Sequence, residues 1–122
     1  MIAGTVNARG EPAILMSVAD QLWEAVIDTG FSGDLELPDS LRPSVNARFN
    51  GRVRSVLAAG QSIVEDSYIV DFPFDGHTVQ AEATFAPVNQ ILIGTHLLRR
   101  YRLEVDFVAR TVLLTRVAPS PP

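Results

Sequence analysis

Short apolar runs, rich in β-branched residues and broken at close intervals by turn formers, dominate this chain, and that pattern predicts strands. Ile2 to Val6 reads as a first strand, Arg9-Gly10-Glu11-Pro12 as a turn, and Ala13 to Val18 as the returning strand. Ala19-Asp20-Gln21 turns the chain again, and Leu22 to Ile27 runs into Asp28. A short strand around Leu35-Glu36-Leu37 stops at Pro38, and Asp39-Ser40-Leu41 has the residues for a single helical turn. The polar stretch from Arg42 to Arg52, which holds Asn46, Asn50 and Gly51, is expected to be an exposed loop.

Val53 to Leu57 and Ser62 to Phe72 predict a hairpin about Ala59-Gly60-Gln61, followed by a turn over Pro73 to Gly76 and a strand from His77 to Phe85. Ile91-Leu92-Ile93 is a continuous apolar run, the mark of a strand buried on both faces. After Gly94, Thr95 is suited to cap a short helix running through Arg100. Leu103, Val105 and Phe107 alternate with Arg102, Glu104 and Asp106, as in a half-buried strand, and Val108-Ala109-Arg110 turns into a last strand, Thr111 to Thr115. The sum is an all-β barrel or sandwich forming one domain over residues 1–116. The proline-rich segment 117–122 is expected to be a disordered tail.

Composition narrows the function. The chain has 122 residues, 47% of them hydrophobic, which suits one domain with a proper core. Its net charge is −4 and its ten basic residues are all arginines, scattered apart from Arg99-Arg100 with Arg102, so no basic stripe appears and nucleic acid is not an expected partner. There is no cysteine, which removes disulfides, thiolate nucleophiles and Cys-ligated zinc together. Met1 to Asn7 lacks the pattern of a signal peptide, and no apolar stretch approaches the ~20 residues that span a bilayer. A cytoplasmic protein without a membrane partner is the expectation.

The chemistry concentrates in Ala25-Val26-Ile27-Asp28-Thr29-Gly30-Phe31-Ser32-Gly33. A buried strand delivers an aspartate at its very end, and Thr29 and Gly30 permit a tight turn that brings backbone amides to the carboxylate. This apolar-apolar-Asp-Thr-Gly segment resembles the catalytic loop of the retropepsin-like aspartic proteases. Ile91-Leu92-Ile93-Gly94 resembles the second signature of that family, and Leu57-Ala58-Ala59-Gly60 lies between the two, where the family has its flap. The resemblance implies a closed acid-protease barrel with one short helix after the second signature strand. It implies Asp28, Thr29 and Gly30 as catalytic residues, and Ala58, Ala59 and Gly60 as a flap over the substrate. It further implies a homodimer in which two Asp28 side chains activate a water for peptide cleavage, with no metal or cofactor. The terminal strands, Ile2 to Val6 and Thr111 to Thr115, are expected to complete the interface as otherwise unpaired edges.

Some positions depart from the family pattern. Ser32 and Thr95 stand where retroviral members carry an aspartate and an arginine that pair, so that salt bridge is expected to be absent, and Phe31 replaces a small residue. Asp-Thr-Gly is also an ordinary way to end a strand in a turn, and a fold can outlive its chemistry. The alternative function is therefore a catalytically silent dimerisation or protein-interaction module. Asp106 has no Thr-Gly after it and reads as solvent-facing. His77 and His96 read as surface or capping residues without a carboxylate cluster beside them, and Trp23 and Tyr68 are expected to pack in the barrel.

Overall fold

The computed structural model describes residues 1–118. Ten strands form one sheet: β1 (Ile2–Val6), β2 (Pro12–Val18), β3 (Gln21–Ile27), β4 (Leu35–Pro38), β5 (Arg48–Val56), β6 (Ser62–Phe74), β7 (His77–Ala86), β8 (Ile91–Ile93), β9 (Tyr101–Asp106) and β10 (Thr111–Arg116). They lie in the order β5-β6-β7-β4-β8-β3-β2-β1-β10-β9. Most neighbours are antiparallel, but β3 runs parallel to β8 and β4 parallel to β7. The core packs Phe72, Ile14, Leu35, Leu37, Leu41 and Ile91, each almost wholly withdrawn from water. Trp23 and Tyr68 are partly buried against it.

The sheet is open. A closed barrel is what the family resemblance implies, but the hydrogen-bonded ladder starts at β5 and ends at β9, and these two strands do not pair. Both carry charge along their length, Arg48, Arg52 and Arg54 on one and Arg102, Glu104 and Asp106 on the other, which discourages strand addition. The terminal strands are not free edges either. β1 lies between β2 and β10, and β10 between β1 and β9, so the lateral hydrogen bonds expected to seek a second copy are already made.

Two segments differ from expectation in local structure. The expected loop over 42–52 instead holds the end of a 3₁₀ helix (Asp39–Ser44), a turn over residues 45–47 and the start of β5, whose first residues pair with β6 up to Ile69. The polar side chains there are satisfied sideways, because Asn46 donates to Asp71 at 3.0 Å and Arg48 bridges to the same carboxylate at 3.3 Å. Gly51, at φ +102, sits at the bulge where the register shifts. The expected helix from Thr95 to Arg100 is a run of turns. Its bonds span three residues, with Leu98 N donating to Thr95 O, Arg99 N to His96 O and Tyr101 N to Leu98 O. Thr95 does not cap it; its hydroxyl turns to Phe31 O at 3.4 Å. Beyond β10, Val117 N donates to Arg100 O at 2.8 Å, and the remainder of the expected tail lies outside the described residues.

Candidate active site

The order β3-β8-β4 dictates the site. β3 and β4 follow each other in sequence but have β8 between them, so the connection from Asp28 to Asp34 must arch over the end of β8. Four backbone hydrogen bonds fasten that arch: Asp28 N to Ile93 O, Gly94 N to Asp34 O, Thr95 N to Phe31 O and His96 N to Gly33 O, at 2.8 to 3.1 Å. Gly94 passes directly beneath it. A Cβ there would lie 2.1 Å from Gly33 O and 2.8 Å from the Phe31 ring, so only glycine allows the crossing. The second apolar-Gly segment thus supports the first.

At the start of the arch, Gly30 N donates to Asp28 Oδ1 at 2.8 Å. Among the described residues nothing donates to Oδ2. Asp28 is half-buried and Thr29 exposed. Asp28, Gly30 and Ala58 all border one groove of about 940 Å³, whereas Thr29, Ala59 and Gly60 are not among its lining residues. Its floor is built from the arch, Leu35 and Glu36 of β4, Glu82 to Thr84 of β7, and Leu92. The β5–β6 hairpin covers it with Val53 to Ala58, Ile63 and Glu65. The hairpin tip closes through Leu57 N to Gln61 O at 2.7 Å and Gly60 N to Leu57 O at 2.9 Å, with Gly60 at φ +78.

Carboxylates dominate the groove: Asp28, Asp34, Glu36, Glu65 and Glu82 against Arg54 and His96. Ser55 donates to Glu65 at 3.0 Å and the buried Ser67 to Glu82 at 2.9 Å. Glu36 has no such partner among the described residues, and burial, with Glu65 facing it, pushes its carboxyl above the usual carboxylate range. Among the described residues no group of three or more His, Asp or Glu side chains is placed to hold a metal ion. A second hollow of about 390 Å³ is bordered by Asp75, but that carboxylate is occupied by the Tyr101 hydroxyl at 2.7 Å.

His96 corrects the sequence reading. It does have a carboxylate neighbour: Nδ1 lies 2.6 Å from Oδ1 of the buried Asp34. The bridge expected to be lost with Ser32 and Thr95 has a counterpart between the same two segments, supplied by residues further along each. No sequence signal marked this pair, since its members are 62 positions apart. Asp106 is exposed, as read from alternation, and its Oδ1 accepts from Val108 N and Ala109 N at 2.9 Å to form the β9–β10 turn.

No family model matches the chain, and no curated protein sequence does. Solved structures do match. A retropepsin-like aspartic protease from Rickettsia conorii superposes with a TM-score of 0.65 at 17% identity, over 93% of this chain and 88% of that one. The EIAV protease in complex with an inhibitor gives 0.56 at 17% identity, over 78% of this chain and 91% of that one. Simian foamy virus (mac) protease gives 0.54 at 18% identity, over 71% of this chain and 91% of that one. The arch over β8, the covering hairpin and these superpositions together give the chain the fold of the retropepsin-like aspartic proteases.

Proposed function

We propose that the protein is an aspartic endopeptidase in which Asp28 acts together with Asp28 of a second copy. The observation that carries this reading is the carboxylate itself. It stands at the end of a buried strand, is held by Gly30 N through one oxygen only, and opens on a groove under a hairpin. The fold supports the reading, and the chemistry needs two carboxylates where each chain supplies one Asp-Thr-Gly. Paired carboxylates sharing a single proton are the established device of aspartic proteases as a class.

In the proposed dimer a water lies between the two side chains, and like charges so close hold one proton between them. The ionised Asp28 takes a proton from the water as its oxygen bonds to the scissile carbonyl carbon, and the protonated Asp28 gives its proton to the carbonyl oxygen. The resulting gem-diol collapses as the peptide nitrogen gains a proton and the C–N bond breaks, which returns the pair to its starting state. Thr29 supplies a hydroxyl that bonds across the axis. Ala58, Ala59 and Gly60 leave room at the hairpin for a peptide or protein substrate in extended form, bound by its main chain. No step calls for a metal or cofactor.

Asp28→Asn tests this. Asparagine keeps the shape and the acceptor for Gly30 N but cannot take a proton from water. General acid–base assistance is worth roughly 10²–10⁴-fold per group, and the substitution strikes both roles at once, so hydrolysis of an unfolded protein at mildly acidic pH should be abolished. Asp106→Asn should be nearly silent, because an asparagine oxygen still accepts from Val108 and Ala109. Retention of full peptidase activity by Asp28→Asn would place the activity elsewhere. A wild type that cleaves nothing, and differs from Asp28→Asn only in stability, would make the protein a dimerisation module.

A further inference from the structure

The arch that carries Asp28 is fastened by backbone bonds at Asp28, Phe31, Gly33 and Asp34, and at Asp34 the side chain adds two more. Asp34 is only 8% exposed, and a carboxylate so buried is costly unless each oxygen is satisfied. Oδ1 meets His96 Nδ1 at 2.6 Å, Oδ2 accepts from Glu82 N at 2.9 Å, and its main-chain oxygen accepts from Gly94 N at 3.0 Å. One residue therefore joins the arch, the turn after β8 and β7. His96 N, in turn, donates to Gly33 O, and Arg99 steadies the turn by donating to His96 O at 2.9 Å.

We infer that Asp34 and His96 are positioning residues for the proposed hydrolysis: they clamp the Asp28 arch to the turn after β8 and to β7, and so set where Asp28 stands in the groove. The inference rests on the aspartic-protease reading of Asp28. The other charged groups around the groove, Asp28, Glu36, Glu65, Glu82 and Arg54, make no ion pair with Asp34 among the described residues, so His96 is its one side-chain partner. The contact needs a proton on Nδ1, which either the neutral tautomer or the imidazolium supplies. Removing the imidazole leaves Oδ1 of the buried carboxylate without its donor while Glu82 N still holds Oδ2, and the arch is free to shift. Small displacements of a reacting group are expensive in rate while leaving the rest of a binding groove intact.

His96→Ala, His96→Gln and the wild type decide the matter through two readouts. The first is kinetic: His96→Ala should lower kcat by roughly 10- to 100-fold with KM within about twofold. His96→Gln, whose amide can still donate to Asp34, should recover most of the loss. The second is amide hydrogen exchange, which does not depend on catalysis. Exchange at Glu82 and Gly94, whose amides donate to Asp34, should quicken by about tenfold in His96→Ala, while Val70 and Leu114 in the core stay unchanged. Wild-type kcat with unchanged exchange at those amides would overturn the inference, as would acceleration spread evenly through the core. If no variant and no wild type hydrolyses any peptide, the protease reading alone fails, and the local exchange rates decide whether the clamp exists.

Discussion

At the scale of single residues, substitutions at Gly94 and Glu36 should move stability in opposite directions. Gly94 lies under the arch with backbone on top of it, so Gly94→Ala pushes a methyl to 2.1 Å from Gly33 O. The loss of stability should be at least the ~1–3 kcal/mol typical of overpacking, read from the shift of a denaturation midpoint. Gly30→Ala meets only Asp28 Oδ1 at 3.2 Å, so its damage should fall on activity more than on stability. Glu36 is held in the charged form at a cost. Its folded-state pKa is raised above the 4.5 of an unperturbed glutamate by burial and then by Glu65, so the folded chain binds more protons than the unfolded one between those values. Stability therefore falls as pH rises through that window. Glu36→Gln should melt higher than the wild type near pH 7.5, and the difference should vanish at about pH 4. Sequence made Asp28 and Gly94 visible because each sits in a local pattern of apolar residues and turn formers. It hid Asp34 and His96, whose meaning arises only when the arch brings distant segments into contact.

At the scale of elements, alternation and turn residues located nearly every strand, and the failures have a common cause. Polar Arg48 and Arg52 belong to a strand because β6 offers them partners in Ile69 and Asp66, which no local pattern reports. Thr95 through Arg100 is expected from sequence to be helical, but Leu97 and Leu98 are drawn into the core while the chain between them and β9 has room only for turns. The hairpin tip was legible, since Gly60 is the residue that can adopt φ +78 cheaply. Nothing lies within 4 Å of a Cβ built there, so Gly60→Val is limited by backbone strain alone, about 1–2 kcal/mol. We expect that variant to fold with a lower melting temperature and to turn over substrate poorly. Gly60→Asn, tolerant of this conformation, should keep most activity. Equal kinetics for valine and glycine would remove the hairpin from the mechanism. The Arg42 guanidinium, 4.6 Å from the Tyr68 ring and 4.4 Å from that of Phe85, ties the 3₁₀ helix to β6 and β7, a contact that sequence gave no hint of.

At the scale of the molecule, the single Asp-Thr-Gly made a second copy the expectation, whereas the open sheet and its strand order were illegible because pairing order is set by tertiary packing. With β1 and β10 satisfied on both sides, the proposed dimer must meet through the Asp28 arches and surfaces other than free terminal edges. Sedimentation should show a dimer at micromolar concentration. Activity should be greatest below neutrality, since the shared-proton state exists only between the two macroscopic pKa values of such a pair, and alkaline pH should loosen the dimer by charge repulsion. Full activity from a strictly monomeric species, or a rate climbing steadily to about pH 9, would contradict a two-carboxylate mechanism. The insertion of β8 between β3 and β4 has a temporal consequence. During synthesis β3 and β4 emerge early, yet the arch cannot be fastened until Ile91–Ile93 and His96 have followed them out of the ribosome. Parallel pairing across such a span is slow to form, so the loop that carries Asp28 takes its shape only after the second half of the chain has been made, and under the proposed reading no catalytic carboxylate is in position before then.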